Sequence, residues 1–451
     1  MKKTMEEQKA ELKEQINKEI DRYYEKMGEG LKEKTLKIDG IERMMKEKKA
    51  KLSEMLEEAT SEAVGEDEAG QECKKKCPEC GRPMRRQNSE QEIRIKTISG
   101  ELRIKRTYCY CRQCRHGESP YDETIGIDAL PYKMTKELMV ETAFYGQNQS
   151  SFEGARQMIK RALGIDINEE TIREVTEEVG RAVFDKDRQR AKETLENIHR
   201  IDASYQKEAT LYIEMDGAAV NTRVEDENGS TWRENKTVMV FTDKDMIKRK
   251  DEGHIITKKE YMAYIGTSED FKAFVLDAAV RAGYGKIKNV VVIADGATWI
   301  RNMCEEIFPD AVQILDLFHL KENIYDYAKY KYKGDASKYT PWAEVFIEKI
   351  ENGETDEALA ALPDNENFPA GTVNLKTYIN NNRDKIRYSQ YREAGYFVGS
   401  GAIESANKLI VQRRLKQAGM RWSVDGAQAL LTLRSKVESN LWDDVVNFFA
   451  A

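Results

Sequence analysis

The chain has 451 residues, which predicts two to four domains and enough length for a sizeable core. Hydrophobic residues make up 40% and charged residues 34%, and no apolar run is long enough to cross a membrane, so we expect no membrane partner. The net charge of −7 argues weakly against nucleic-acid binding, but it is a sum over the whole chain, and binding depends on local patches. The segment MKKTMEEQKAELKEQ lacks the apolar core of a secretory signal, which predicts a cytoplasmic protein of a prokaryote.

Residues 1–60 are predicted to form helices in a surface hairpin or a short coiled coil. Apolar side chains recur at three- and four-residue spacing among Lys and Glu, at Leu12, Ile16, Ile20, Tyr23 and Met27. Gly28 and Gly30 are predicted to interrupt the pattern, which resumes over residues 36–56. Residues 61–72 are acidic and contain Gly, which is typical of a linker.

Residues 73–120 contain two Cys-x-x-Cys pairs, Cys77 with Cys80 and Cys111 with Cys114. Between the pairs, residues 92–97 and 101–108 alternate polar and apolar side chains around a Ser-Gly turn, which predicts a β-hairpin. Two such pairs around a hairpin predict a zinc ribbon with one structural Zn²⁺ held by four thiolates. Disulfides are the alternative, which the intracellular context disfavours.

The other three cysteines have different predicted roles. Cys73 and Cys109 are close enough in sequence to replace a zinc ligand, but ordinary packing is the expected role of both. Cys304 lies in a predicted helix and is expected in the core. The same region is locally basic, since residues 73–116 have 13 Lys or Arg against 4 Glu.

Residues 125–200 are predicted to be helical. Residues 152–163 and 170–179 are amphipathic, and Asn168 is well placed to cap the second helix. Two short helices joined in this way suit a DNA-binding helix-turn-helix, although many helical pairs bind nothing.

Residues 205–330 alternate between strand and helix patterns, which predicts an α/β core. The predicted strands are residues 211–215, 237–241, 261–265, 290–294 and 312–315. The predicted helices are residues 268–281 and 297–307. Residues 331–390 then have helical patterns without strand signals, which predicts an all-α insertion before a last part of the core, residues 391–451.

Three acidic residues predict a metal site in this core. Asp216 and Asp295 each follow an apolar strand and precede Gly, and Glu404 opens a helical stretch. One Asp-Gly pair is often only a turn, but two at strand ends in one α/β domain favour a site. Three carboxylates can bind two Mg²⁺ or Mn²⁺ ions that activate a water or a 3′-hydroxyl and stabilise the leaving oxygen.

Other side chains are predicted to act beside these carboxylates. A basic helix follows Glu404, where DNA phosphates are expected to bind Lys408, Arg413, Arg414, Lys416 and Arg421. His319, with Asp316 three residues before it, would contact the scissile phosphate or orient a carboxylate. A core or surface histidine is the structural alternative.

Four segments in this order resemble the DDE transposases of bacterial insertion sequences, in the branch allied to Mutator-like elements. The segments are IEMDGAAV, VVVIADGATWI, ILDLFHLKENI and GSGAIESANKLIVQRRLKQAGMRWS. The resemblance covers roughly residues 75–445. It implies an RNase H-like α/β core with an all-α insertion, and Asp216, Asp295 and Glu404 as the catalytic triad.

The resemblance also implies roles for residues outside the triad. Asp316 and His319 match the Cys-or-Asp, two residues, then His of that branch, and Trp299 suits base stacking on DNA or core packing. The zinc ribbon at residues 77–114 and the helices at residues 152–179 match the regions that recognise the ends of the element.

The expected function is therefore a transposase that cuts and joins double-stranded DNA at the terminal inverted repeats of its own element. Since two DNA ends must be paired, we expect a homodimer or higher oligomer on DNA, associated with the nucleoid. A transposase-derived regulator without catalysis is one alternative, against which the three intact acidic positions argue. A stand-alone RNase H-like nuclease is another, but such an enzyme needs neither the ribbon nor the N-terminal helices.

Overall fold

The computed structural model describes residues 3–65, 73, 75–87, 91–201, 207–248, 254–363, 373–399 and 401–450. Within these ranges the chain forms two compact units, the first from residues 1–146, 151–175 and 449–451 and the second from residues 147–150 and 176–448. None of the helices in the described ranges has an apolar stretch that would reach across a bilayer.

The first unit begins with a helical hairpin, as predicted, formed by α1 (Met5–Lys32) and α2 (Ile38–Val64). The prediction that Gly28 and Gly30 interrupt the first helix is wrong, because α1 continues through both. A Cβ on Gly30 would lie 2.9 Å from Leu36 Cβ. Gly30 therefore allows the turn after α1 to pack closely against the helix, and it does not break the helix. Residues 61–64 of the predicted linker belong to α2, and residues 66–72 lie outside the described residues.

Short strands follow the hairpin. They are β1 (Arg85–Arg86), β2 (Gln91–Thr97), β3 (Gly100–Arg106), β4 (Cys109–Tyr110) and β5 (Gly117–Glu118). The predicted β-hairpin is confirmed, since β2 and β3 pair antiparallel around the turn. It is a separate sheet, however, and the two cysteine pairs lie beside the three-stranded sheet β1-β4-β5.

The next part of the chain is helical, as predicted. Its helices are α3 (Pro120–Thr124), α4 (Lys136–Asn148), α5 (Phe152–Leu163) and α6 (Glu169–Glu196). Gly164 ends α5 in the left-handed conformation, and the Asn168 side chain accepts from the N–H of Thr171 at 2.8 Å, so the predicted cap is confirmed. The second helix is not short, as the helix-turn-helix interpretation required, because α6 has 28 residues and the boundary between the two units falls within it.

A five-stranded mixed sheet forms the centre of the second unit, in the order β10-β7-β6-β11-β12. Its strands are β6 (Lys207–Asn221), β7 (Trp232–Thr242), β10 (Glu260–Ile265), β11 (Ile287–Ala294) and β12 (Val312–Leu315), and a separate small hairpin consists of β8 (Met246–Lys248) and β9 (His254–Ile256). Neighbours are antiparallel from β10 to β6 and parallel from β6 to β12. All five predicted strands are present in this sheet.

The two faces of β6 have different environments because side chains alternate along a strand. Leu211, Ile213 and Met215 belong to the apolar core that packs against α7 (Ser268–Ala282) and α8 (Thr298–Ile307). On the opposite face, the Tyr212 hydroxyl accepts from the N–H of Phe397 at 3.4 Å. Acidic side chains of β6 therefore face the C-terminal segment, whereas its aliphatic side chains hold the core together.

Helices make up the regular structure of the described residues after β12, as predicted. They are α9 (Leu317–Lys331), α10 (Ala336–Glu351), α11 (Thr355–Ala360), α12 (Leu375–Asn381), α13 (Tyr388–Glu393), α14 (Gly401–Asn407), α15 (Arg413–Leu415), α16 (Val424–Glu438) and α17 (Trp442–Ala450). A π-helical turn, Lys408–Gln412, joins α14 to α15. Residues 364–372 of the predicted insertion lie outside the described residues.

Candidate functional site

The four cysteines of the two Cys-x-x-Cys pairs come together in the first unit. Their sulfur atoms all lie within 4.8 Å of one another, and Cys80 Sγ is 3.6 Å from Cys111 Sγ. A hydrogen bond from the backbone N–H of Cys114 lowers the pKa of the Cys111 thiol to about 7, whereas a hydrogen bond with Cys80 raises the pKa of Cys114 to about 12 and burial raises that of Cys77. Four sulfur atoms this close together match the ligand set of a structural zinc site. The cluster can therefore hold a metal ion such as zinc.

The prediction of ordinary packing for Cys73 and Cys109 is wrong, because the two form a disulfide bond. Their Cα atoms are 5.9 Å apart, a distance that a disulfide spans, but sequence spacing alone does not reveal such proximity. Neither residue replaces a member of the four-cysteine cluster. Cys304 lies in α8 and is fully buried, so its predicted place in the core is confirmed.

Asp295 and Asp316 follow neighbouring parallel strands of the second unit. Ala294 pairs with Leu315 as the last residues of β11 and β12, and each acidic residue comes directly after its strand. The N–H of Asp316 donates to Ala294 O at 2.8 Å, which extends the pairing by one residue. Both side chains therefore leave the same edge of the sheet.

Asp216 reaches this edge from inside a strand. The prediction that it ends a strand is wrong, because β6 continues along β7 to Asn221. What ends is the pairing of β6 with β11, whose last pair is Glu214 with Ile293, two residues before Asp216. Since β6 continues beyond its parallel neighbour, Asp216 has the same position relative to the sheet edge as a residue at a strand end.

Gly296 shapes the turn after Asp295. Its φ is +59°, and a Cβ at this position would lie 2.9 Å from both Asn382 Nδ2 and Leu315 Cδ1. The N–H of Ala297 donates to Asp295 Oδ1 at 3.1 Å, which closes the turn. Asn382, which follows α12, therefore lies so close to the backbone beside Asp295 that only glycine fits at position 296.

We expect Gly296→Ala to destabilise the protein by about 2–4 kcal/mol, since it combines a left-handed backbone penalty with overpacking. Gly229→Ala is the matched control, because Gly229 also has positive φ (+75°) but no atom within 4 Å of its Cβ position. That control should lose only about 1 kcal/mol. Urea unfolding of both variants measures the difference, and equal losses would contradict the close approach.

Glu404 lies on α14, whose start is held against β6 by a buried acid. Glu214 Oε2 accepts from the N–H of Ile403 at 3.0 Å, and burial raises the pKa of Glu214 to about 8. Sequence reasoning missed Glu214, although its position two residues before Asp216 on one strand puts both side chains on the same face. Glu214 therefore positions the first turn of the helix that carries Glu404.

Asn407, one turn after Glu404, binds the other acid directly. Its Nδ2 donates to Asp216 Oδ2 at 2.6 Å, and the N–H of Gly217 donates to Asp216 Oδ1 at 2.7 Å. Burial raises the pKa of both Asp216 and Glu404. Among the described residues, two buried oxygens in this region have no hydrogen-bond partner, Glu404 Oε1 and Asn407 Oδ1. Sequence reasoning also missed Asn407, for which the three-residue spacing from Glu404 was the available signal.

The π-helical turn directly follows Asn407, and a buried arginine supports it. Arg434 Nε donates to Leu409 O at 3.0 Å and to Ile410 O at 2.9 Å, two carbonyls of this turn. Such turns are frequent at functional sites. This one carries Lys408 and directly precedes Arg413.

Asp316 acts on His319 rather than on the groove itself. It is fully buried, caps α9, and its Oδ2 lies 2.6 Å from His319 Nδ1. This hydrogen bond raises the pKa of His319 to about 9, and the negative charges of Asp216 and Asp295 also act to raise it. The imidazole is therefore protonated at neutral pH.

The His319–Asp316 pair predicts a defined pH dependence of stability. Because the folded pKa is raised from 6.5 to about 9, its stabilisation is complete below pH 6.5 and is lost as the pH rises through 9. We expect His319→Gln to cost at most about 3 kcal/mol at pH 6 and almost nothing at pH 10. Denaturant unfolding between these values measures the difference.

Asp316→Asn is the matched background for this measurement, since it retains an oxygen to cap α9 but removes the charge. In that background the loss of stability on His319→Gln should decline much less between pH 6.5 and pH 9, because only the charges of Asp216 and Asp295 still raise the pKa of His319. A pH-independent loss in the native background would contradict the assignment of the imidazolium.

An open groove with a volume of about 340 Å³ brings several of these side chains together. Its lining includes Asp216, His319, Glu404, Asn407, Lys408 and Lys416. Asp295 is not part of the lining, but its charge raises the pKa of Asp216 and of His319. Among the described residues, only the four cysteines form a group of three or more Asp, Glu, His or Cys side chains whose ligand atoms lie close enough together to hold a metal ion.

The predicted DNA-contacting residues divide into two groups. Lys408, Arg413, Lys416 and Arg421 are exposed, and the first and third line the groove. The prediction for Arg414 is wrong, because its side chain is 1% exposed and stacks on Trp422, with 5.0 Å between the guanidinium carbon and the ring centroid.

Trp299 is half-buried and packs against the apolar core, edge-on to Phe271. Core packing therefore accounts for its position. A contact with DNA bases stays a prediction.

The second unit is thus an α/β domain with a mixed sheet, and the first contains a cysteine cluster that can hold a metal ion. A family model described as "Uncharacterised protein family (UPF0236)" matches residues 31–445, and the chain belongs to this family. A comparison with curated proteins finds no match.

Proposed function

We propose that this protein is a DDE transposase that cleaves and joins DNA strands at the ends of its own element. One observation carries the proposal: Asp216 and Glu404, from distant parts of the chain, line one groove with His319 and two exposed lysines. The sheet edge that holds Asp216 also carries Asp295. The strand order and the change from antiparallel to parallel pairing support an RNase H-like core.

The donor set fits hard divalent cations such as Mg²⁺ or Mn²⁺. The groove offers carboxylate oxygens, and Glu404 Oε1 is buried without a hydrogen-bond partner among the described residues. Asp216, Asp295 and Glu404 would hold the cations, which when bound activate the attacking oxygen and stabilise the leaving oxygen in an in-line displacement. Burial raises the pKa of Asp216 and Glu404, a cost that neighbouring cations would offset.

The remaining groove residues act on the DNA. Lys408 and Lys416 are exposed cations beside the acids and would neutralise phosphates on either side of the scissile bond. The hydrogen bond with Asp316 raises the pKa of His319, so the protonated imidazole can donate a hydrogen bond to a phosphate oxygen. Its proposed role is therefore to stabilise the phosphate rather than to act as the base.

The cysteine cluster and the helices of the first unit are proposed to recognise the element ends. Among the exposed residues near the cluster are Arg82, Arg85, Arg86, Arg112 and Arg115, which suit phosphate contacts. A bound Zn²⁺ would fix the loops that carry Arg82 and Arg112. Pairing of two ends implies at least a dimer on DNA.

A strand-transfer assay tests the proposal. The zinc-loaded full chain is incubated in Mg²⁺ with linear DNA that carries the candidate ends flanking its gene, and with DNA in which these ends are scrambled. We expect cleavage at the element boundary and joined products with the first DNA alone. No product in either Mg²⁺ or Mn²⁺ would refute the enzyme, binding without cleavage would favour a regulator, and equal cleavage of both DNAs would favour a general nuclease.

A further inference from the structure

The two polar side-chain atoms of Asn407, Nδ2 and Oδ1, differ in their hydrogen bonding. Its Nδ2 donates to Asp216 Oδ2 at 2.6 Å, whereas its Oδ1 is buried and has no hydrogen-bond partner among the described residues. The whole residue is 4% exposed, yet it belongs to the lining of the groove. A buried amide oxygen without a partner costs about 1–3 kcal/mol, so its retention at this place points to a ligand.

The orientation of the amide follows from chemistry. A carboxylate accepts hydrogen bonds and does not donate them, so the atom next to Asp216 Oδ2 is the amide nitrogen. The oxygen is then directed away from Asp216. Glu404, three residues earlier on α14, has the same feature, since its Oε1 is also buried without a partner. Residues three apart lie on one face of a helix, and both Glu404 and Asn407 belong to the lining of the groove.

We infer that Asn407 is a further ligand residue of the cation site, an inference that rests on the proposed function. Its amide nitrogen holds Asp216 in place, and its amide oxygen binds the divalent cation together with Glu404. Amide and carboxylate oxygens are both suitable ligands for Mg²⁺ and Mn²⁺. The same side chain thus connects the acid on β6 to the acid on α14.

Two substitutions separate the ligand role from a purely structural one. Asn407→Leu removes both the donor to Asp216 and the oxygen. Asn407→Asp retains an oxygen ligand and adds charge, but it loses the donor and places a second carboxylate beside Asp216. A ligand role predicts that the Asp variant still binds the cation, whereas a role confined to the hydrogen bond predicts that both variants fail alike.

Asn221→Asp is the matched control. Asn221 also has a buried oxygen without a partner among the described residues, but it lies at the end of β6, five residues beyond Asp216 and outside the groove lining. This change introduces the same chemistry about 16 Å further along the strand. Its effect on cation binding should be negligible.

The test measures Mn²⁺ binding to the zinc-loaded full chain by the loss of the free-ion electron paramagnetic resonance signal. We expect Asn407→Leu to weaken Mn²⁺ binding at least about 10-fold and Asn407→Asp to remain within about 3-fold of the native protein or bind more tightly. We also expect Mg²⁺ to raise the melting temperature of the Asp variant by more than that of the native protein, because it relieves carboxylate repulsion.

Glu404→Gln distinguishes failure of this inference from failure of the proposed function. If the native chain does not bind Mn²⁺, or if Glu404→Gln leaves binding unchanged, the cation site itself is wrong. If Glu404→Gln weakens binding but Asn407→Leu does not, or if both Asn407 variants lose it equally, Asn407 is not a ligand. Should the Leu variant fail to fold, the Asp variant decides by itself, since loss of its Mn²⁺ binding overturns the inference.

Discussion

For the proposed transposase, we expect Asp295→Asn to reduce Mg²⁺-dependent cleavage at the element ends by at least about 10³-fold, because several kcal/mol of charge stabilisation would be lost. The variant should fold normally, because the Asn side-chain oxygen can still accept the 3.1 Å hydrogen bond from the N–H of Ala297. Its loss of activity would therefore reflect the missing charge. Single-turnover cleavage of end-bearing DNA measures the effect.

Asp310→Asn is the matched control for this change. Asp310 is exposed and precedes β12, at the opposite end of that strand from Asp316, so it is remote from the acidic edge. Its rate should be within about 2-fold of the native rate, as for most surface substitutions. Retained cleavage by Asp295→Asn, with the control equally active, would remove Asp295 from the site.

Cys111→Ser should abolish metal binding by the cysteine cluster and unfold the segment around it. The strands of its sheet, β1, β4 and β5, have only two residues each. The buried residues of the local core are Cys77, Met84, Cys109 and Cys111, so little apolar area stabilises the segment without a metal. A structural zinc contributes on the order of 10 kcal/mol in small domains.

Metal analysis by mass spectrometry and limited proteolysis of residues 75–118 measure this effect. The native chain should contain one zinc ion and resist cleavage there, whereas Cys111→Ser should lose the zinc and be cut. Cys304→Ala is the control, because Cys304 is a buried cysteine of the other unit and should leave the zinc content unchanged. Unchanged zinc in Cys111→Ser would refute the four-cysteine site.

The strands and the cysteine pairs were predictable because their signals are local. Alternating or continuous apolar runs identified each strand of the mixed sheet, since burial of those side chains depends mainly on their own periodicity. Strand ends were less predictable. The apolar run before Asp216 stops at Met215, but β6 continues to Asn221 because β7 supplies hydrogen-bond partners.

The predictions of helix length and of the roles of charged residues were wrong in places, for a related reason. The pattern of α6 weakens near residue 179, yet tertiary packing continues the helix to Glu196. Arg414 has the same sequence signature as its basic neighbours, but its backbone position directs it onto Trp422 and away from solvent. A charged side chain therefore could not be assigned to DNA or to the interior from sequence alone.

The sequence by itself determined the chemical inventory: the cysteine pairs, the three acids in order, the histidine after Asp316 and the basic run after Glu404. These follow from residue type and short spacing. The tertiary structure decided which of them share a groove and what holds them there. Asn407 and Asp216 are 191 residues apart in sequence and 2.6 Å apart at their polar atoms, a contact that requires β6 and α14 to pack. Glu214, Asn407 and Arg434 acquire their roles only through such long-range packing, because a lone polar side chain has no periodic pattern from which its partner can be inferred.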